Sequence, residues 1–134
     1  GWLAGVRDPD VGKALALLHQ QPARPWTIAT LAAEVGVSRS VLAERFQHYL
    51  TDTPISYLTR WRLHLAARLL TSTSKSVAEV AGDIGYESEP SFNRAFKREF
   101  DLPPARFRSQ AKSLKNPSVS RASTTAELKP IQTT

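Results

Sequence analysis

One stretch of this chain is written twice. TIATLAAEVGV (27–37) and SVAEVAGDIGY (76–86) align without a gap at an offset of 49 residues. One additional residue in the second turn moves the offset to 50, and Ser38, Leu42 and Phe46 then fall opposite Ser88, Phe92 and Phe96. Capping residues, the small Ala32 and Ala81, the glycines Gly36 and Gly85 and two core positions all coincide. Any fold for this chain must therefore hold two copies of one unit.

The second copy is the more explicit. Ser76 with Glu79 three residues on is a capping box, so a helix starts there. Val77, Val80, Ala81 and Ile84 follow at helical spacing, and Gly85 supplies the residue that turns left-handed at no steric cost. Ser88 caps the next helix, with Pro90 at its start, where the backbone N–H groups lack helical partners anyway. In that helix Phe92, Ala95, Phe96 and Phe100 share one side, and Pro90, Asn93, Arg94, Lys97 and Arg98 share the other. A short helix, a glycine turn and a second helix with a basic, hydrogen-bonding outer face is the plan of a DNA-reading helix-turn-helix.

The first copy repeats the plan. Thr27 caps, Ile28, Leu31, Ala32 and Val35 form the stripe, Gly36 turns and Ser38 caps again. Leu42, Phe46, Tyr49 and Leu50 are expected to face inward; Ser40, Ala43, Glu44 and Gln47 outward. An earlier helix, capped by Asp8 with Pro9 behind it, carries Val11, Ala14, Leu15 and Leu18 on one face. Thr53 and Pro54 start a long helix reaching about Leu70, with Ile55, Leu58, Trp61, Leu65, Ala66, Leu69 and Leu70 covering more than one face. That breadth suits a strut packed on both copies, with Leu58, Trp61, Leu65 and Leu69 as its stripe. Pro103 and Pro104 open a short last helix to about Gln110. The remainder is rich in Ser, Thr, Lys and Pro, without periodicity, and is expected to be a disordered tail.

The resulting division is a linker over 1–7, a first helix-turn-helix subdomain over 8–52, a linking helix and connector over 53–75, a second subdomain over 76–110 and the tail over 111–134. The fold class is all-α, with two helix-turn-helix subdomains joined by the long central helix.

Charge and composition narrow the function. The net charge of +6 favours a polyanionic partner. No cysteine is present, which excludes disulfides, cysteine-ligated zinc and thiol catalysis. His19, His48 and His64 lack ligand spacing, and no glycine loop or nucleophile grouping suggests catalysis, so neither metal, cofactor nor enzyme activity is expected. No apolar run approaches the roughly 20 residues of a membrane span. A cytoplasmic protein follows as the simple expectation. The chain starts at Gly1 and contains no methionine, so a piece of a longer product is expected.

The repeat, the linking helix and the run IGYESEPSFNRAFKREFDLPPARFR closely resemble the C-terminal DNA-binding domain of AraC/XylS-type bacterial transcription regulators. The likeness covers about 8–108; Asp101 and Phe107 depart from a usual glycine and a frequent tyrosine, which bears on cap geometry and packing. It implies about seven helices, with two recognition helices entering successive major grooves. It also implies base-reading positions at Ser40, Ala43 and Glu44 in the first recognition helix and at Glu89, Pro90, Asn93 and Arg94 in the second. Promoter DNA is the implied partner and RNA polymerase the next. The bound domain is expected to contact the polymerase as an activator or to block it, and a small-molecule effector would act only through an upstream domain.

The residue chemistry bears on each position. Arginine at Arg94 can pair with guanine O6 and N7, asparagine at Asn93 with adenine N6 and N7, and the Glu44 carboxylate can accept from cytosine N4. Glu44 can equally be a surface acid that repels phosphate. Ala43 and Pro90 offer at most an apolar contact to a thymine methyl. Ser38, Arg39, Gln47, Ser88, Lys97 and Arg98 are placed against phosphates, since cations and small donors at the helix flanks position rather than specify. Arg60, Arg62 and Arg68 lie on the linking helix and are read as structural. Glu44, Ala43, Glu89 and Pro90 at four reading positions motivate one rival, a helical protein-interaction module that has lost specific DNA reading.

Overall fold

The computed structural model describes residues 7–115. These residues form seven helices and no strand: α1 (Pro9–Gln20), α2 (Ile28–Val35), α3 (Arg39–Leu50), α4 (Pro54–Ser72), α5 (Val77–Asp83), α6 (Glu89–Phe100) and α7 (Pro104–Lys115). The all-α expectation holds, as do the starts of the helices, because each start is chemically marked. The Asp8 carboxylate accepts from the amides of Asp10 and Val11 at 2.9 and 3.1 Å. Thr27 and Thr30 form one reciprocal capping box, Ser76 and Glu79 another. Ser38 and Ser88 each take the amide three residues on, at 3.2 Å. Such caps are each worth about 0.5–2 kcal/mol.

Both turns use the glycines foreseen. Gly36 and Gly85 have φ of +91° and +99°, values that an L side chain reaches only with strain. The two recognition helices end on residues that lack this freedom. Thr51 (φ 53°) and Asp101 (φ 64°) are both left-handed, and they too stand 50 residues apart.

The described residues fall into two compact units, 7–62 and 63–115, and the boundary lies inside α4. The first core gathers Val11, Ala14, Leu15, Leu18, Trp26, Leu31, Ala32, Val35, Leu42, Phe46, Tyr57 and Leu58. The second gathers Leu63, Ala66, Ala67, Leu70, Val80, Ala81, Ile84, Phe92 and Phe96.

The repeat is larger than its helix-turn-helix. Val11, Ala14, Leu15 and Leu18 recur 52 residues later as Leu63, Ala66, Ala67 and Leu70, all buried. Pro54 and Tyr57 recur 50 residues later as Pro104 and Phe107. Tyr57 meets Phe46 edge-on at 5.8 Å, and Phe107 meets Phe96 edge-on at 5.2 Å. Each unit is thus an opening helix, a helix-turn-helix and a closing helix. The single helix α4 closes the first unit with Tyr57 and Leu58 and opens the second with Leu63 onward.

That double duty corrects the stripe expected for α4. Leu65 and Leu69 are only half-buried, as is Trp61, and Ile55 is exposed; the buried positions are Pro54, Tyr57, Leu58, Leu63, His64, Ala66, Ala67 and Leu70. A second difference concerns α7. It continues to Lys115, so 111–115, expected to begin the tail, is helical. Ala111, Lys112 and Leu114 are strong helix formers, and no proline or glycine intervenes. The rest of the tail and positions 1–6 of the linker lie outside the described residues.

Arginines lock the closing helices. Arg62 donates from Nε to the Pro22 carbonyl at 2.7 Å and from a terminal nitrogen to the Arg24 carbonyl at 2.9 Å. Arg108 donates from Nε to the Leu70 carbonyl at 2.8 Å. Both satisfy carbonyls at or just past the end of an opening helix, where intrahelical donors run out. Arg60 stands 3.7 Å from Asp52. These contacts give Arg60 and Arg62 structural roles.

Candidate nucleic-acid interface

The outer faces of α3 and α6 are built from the same scaffold. In each, two buried aromatic or aliphatic residues four apart, Leu42 and Phe46 or Phe92 and Phe96, fix which side is turned out. Behind α6 the anchoring is dense: Phe96 packs on Phe92, Phe100 and Phe107 with ring centroids 5.6, 4.6 and 5.2 Å apart. Burying one such side chain contributes roughly 1.5–3 kcal/mol. A helix held this firmly presents its other face at a defined rotation.

On α6, Glu89, Pro90, Arg94, Lys97 and Arg98 are exposed. Pro90, Arg94 and Lys97 follow one another at helical spacing along a single line. Among the described residues no carboxylate lies within ion-pair distance of Arg94, Lys97 or Arg98. Glu99, a possible partner for Arg94, is instead turned to His64, Oε2 to Nε2 3.0 Å. The guanidinium of Arg94 is therefore free to pair outward.

Asn93 is placed differently. It is half-buried, and its Oδ1 is enclosed without a hydrogen-bond partner. An amide that reads adenine must offer both its oxygen and its nitrogen. In this rotamer one of the two is withdrawn. Ser88 is also engaged internally: its hydroxyl accepts the Ser91 amide and donates to Ser91 Oγ at 3.0 Å.

On α3, Ser38, Arg39, Ser40, Glu44 and Gln47 are exposed, and Ala43 is half-buried. The line Ser40, Glu44, Gln47 occupies the place of Pro90, Arg94, Lys97. Its chemistry is opposite: one carboxylate and one amide where α6 has two cations. Arg39 is the cation at the entry to α3. Arg45 is drawn away, 2.5 Å from Asp10 and 3.7 Å from Asp8 at the start of α1. One residue escaped the sequence reading on this face. Val41 is exposed, although a valine there would ordinarily be assigned to the core stripe.

Two polar pairs that the spacing did not reveal lie behind these faces. His64 and Glu99 are one; His19 and Tyr57, Nε2 to hydroxyl 2.6 Å, are the other. The His19 ring also lies against Trp61, centroids 4.2 Å apart. Burial lowers the His19 pKa below its usual value of 6.5. No helix among the described residues is long and apolar enough to cross a membrane.

Residues 31–110 match the helix-turn-helix domain family. A putative AraC-like transcription regulator of Streptomyces lividans is 49% identical over 108 residues, which are 81% of this chain and 36% of that protein. The regulator AlkR of Acinetobacter baylyi is 39% identical over 110 residues, 82% of this chain and 36% of that protein. The chain thus spans about a third of the length of the curated relatives it matches. Among solved structures, an AraC-type transcriptional regulator from Chromobacterium violaceum superposes with a TM-score of 0.74 at 31% identity, covering 78% of this chain and 94% of that one. The DNA-binding domain of the global transcriptional factor AdpA, solved with a target DNA, gives 0.75 at 30% identity, covering 82% and 97%.

Proposed function

Because the chain belongs to the AraC-type helix-turn-helix family of DNA-binding transcription regulators, we propose that it binds promoter DNA by laying α3 and α6 each in a major groove. The observation that carries this reading is the exposed line Pro90, Arg94, Lys97, with no carboxylate of the described residues paired to either cation. An unpaired arginine in the first half of a recognition helix matches the two acceptors of a guanine edge. Lys97 and Arg98, one turn further on, suit phosphates, and Arg39 does the same for α3. Ser40, Ala43, Glu89 and Pro90 lie at the entering ends of the two helices and line the groove beside these contacts. Gln47 and the two capping serines, Ser38 and Ser88, flank them. The AdpA domain, solved with DNA, supports the same use of the fold here.

The bound domain would then contact RNA polymerase and act as an activator, under an effector sensed by a separate domain.

The test is selection of duplexes from a randomised pool, followed by footprinting and titration with competitor DNA at two salt concentrations. Enrichment of one sequence with a protected footprint supports the reading. Binding that is salt-sensitive but indifferent to sequence, or absent, counts against it and favours the interaction-module alternative.

A further inference from the structure

Val41 and Ile55 are the two large apolar side chains standing more than a third exposed among the described residues, at 36% and 37%. A lone valine on an arbitrary surface signifies little. Val41 is instead the third residue of α3 and lies one helical turn from Glu44. At about 100° per residue, positions three apart are only some 60° apart around the helix, and their Cβ atoms are roughly 5–6 Å from each other. Leu42 and Phe46 point into the core, so Val41 and Glu44 form a strip on the opposite half of the helix.

The strip has one apolar and one anionic member, and the neighbouring cation is withheld from it. Arg45 is held by Asp10 and Asp8. A guanine edge offers N7 and O6, both acceptors, which a carboxylate repels. An adenine edge offers one acceptor and one donor. The pyrimidines fit: cytosine presents the N4 amino donor and thymine the 5-methyl group. The counterpart of Val41 in α6, 50 residues on, is Ser91, whose hydroxyl donates to the Ser88 carbonyl. The strip is therefore peculiar to α3.

We propose that Val41 and Glu44 read two pyrimidines on one strand, Val41 packing on a thymine methyl and Glu44 accepting from a cytosine N4 amino group. Their separation matches one to two base steps of about 3.4 Å. The helix α3 is then a pyrimidine reader, set against a guanine-reading α6. This rests on the proposed placement of α3 in the major groove and adds to it a base class that Arg94-type contacts do not supply.

The experiment uses the full chain and the duplex selected from the randomised pool. Each thymine in the footprint is replaced in turn by deoxyuridine, which deletes only the methyl group. At one position the wild-type protein should bind about fourfold more weakly, the worth of one buried methyl. Val41→Ala should bind the thymine and uracil duplexes equally, whereas Val41→Ile should still discriminate. At a cytosine within two steps, exchange of the C·G pair for T·A should weaken the wild type by roughly fivefold or more, and Glu44→Ala should lose that preference. Sequence-specific binding with no methyl dependence, or with one that survives in Val41→Ala, overturns the inference while leaving DNA reading intact. Failure to prefer any duplex overturns the proposed function and this inference with it.

Discussion

Glu99 Oε2 stands 3.0 Å from His64 Nε2, joining the last turn of α6 to the middle of α4. His64 is the buried polar side chain among the described residues, 8% exposed, and its Nδ1 has no partner. Glu99→Ala would leave both ring nitrogens unmet in the core. An orphaned buried group of this kind costs about 1–3 kcal/mol. Urea unfolding should show that loss. Adding His64→Leu to Glu99→Leu should recover much of it, because removing both partners removes the demand. An unchanged midpoint for Glu99→Ala would mean that the pair contributes nothing.

The paired ring of His19 makes a statement about pH. Burial lowers its pKa below the ordinary 6.5, so the fold prefers the neutral imidazole while the unfolded chain protonates first on acidification. Its contribution is present above about pH 6.5 and is lost as pH falls through the lower, folded-state pKa. Burial also raises the Tyr57 phenol above its usual 10, so the corresponding loss at the alkaline end begins above that value. Melting temperatures between pH 7 and 4 should decline, and His19→Gln should flatten part of the decline. An identical slope in the variant would exclude His19 as its source.

Core substitutions along α4 should separate by exposure. Leu63→Ala and Leu70→Ala, at 3% and 1% exposed, should each cost about 2–5 kcal/mol. Leu65→Ala, only half-buried, should cost clearly less. Denaturant titration of the three variants decides whether the two-core description of α4 is correct.

On DNA, Arg94→Ala should lose about 1–3 kcal/mol of binding and relax one base position, whereas Lys97→Ala should weaken all sequences alike and reduce the salt slope by about one. Titrating both against the same operator at two salt concentrations separates the roles. Glu44→Ala should lose less than Arg94→Ala, since a single accepted hydrogen bond replaces a bidentate pair. The reverse order would make α3 the dominant reader.

The left-handed ends of α3 and α6 offer sites for stabilisation. A β-branched residue at positive φ is a steric outlier, while aspartate tolerates the region better. Thr51→Gly should relieve roughly 1–2 kcal/mol of strain and return part of it through the unfolded chain, for a net gain of about 0.5–1 kcal/mol. Asp101→Gly should gain less. A calorimetric Tm that falls for Thr51→Gly would show that the Thr51 hydroxyl, 2.6 Å from the Leu50 carbonyl, outweighs the strain.

What could be read from the residues divides along physical lines. Caps, turns and the paired helix-turn-helix were legible because they depend on neighbours three or four positions away. Ser76 with Glu79 and the two turn glycines are of this kind. The face of α4 was not, because Leu58, Trp61, Leu65 and Leu69 make as good a helical stripe as Leu63, Ala66, Ala67 and Leu70. Only the packing chooses between them, and it uses the first half of α4 for one core and the second half for the other. His64 and Glu99 meet across 35 residues of chain, where no local spacing could announce them. At the candidate interface the composition of the outer faces was legible. The inward turn of the Asn93 oxygen, the capture of Arg45 by Asp8 and Asp10 and the exposure of Val41 depend on rotamers and partners far along the chain.

The boundary inside α4 has a practical meaning for anyone dividing this protein. A cut ahead of Pro54 strips Tyr57 and Leu58 from the first core, and a cut behind Ser72 strips Leu63, Ala66, Ala67 and Leu70 from the second. A cut between Arg62 and Leu63 leaves each piece a helix of about ten residues, short of the twelve to fifteen that hold together alone in water. No single cleavage yields two whole halves. Fragments meant to isolate either reading helix must overlap, each carrying its own copy of 54–72.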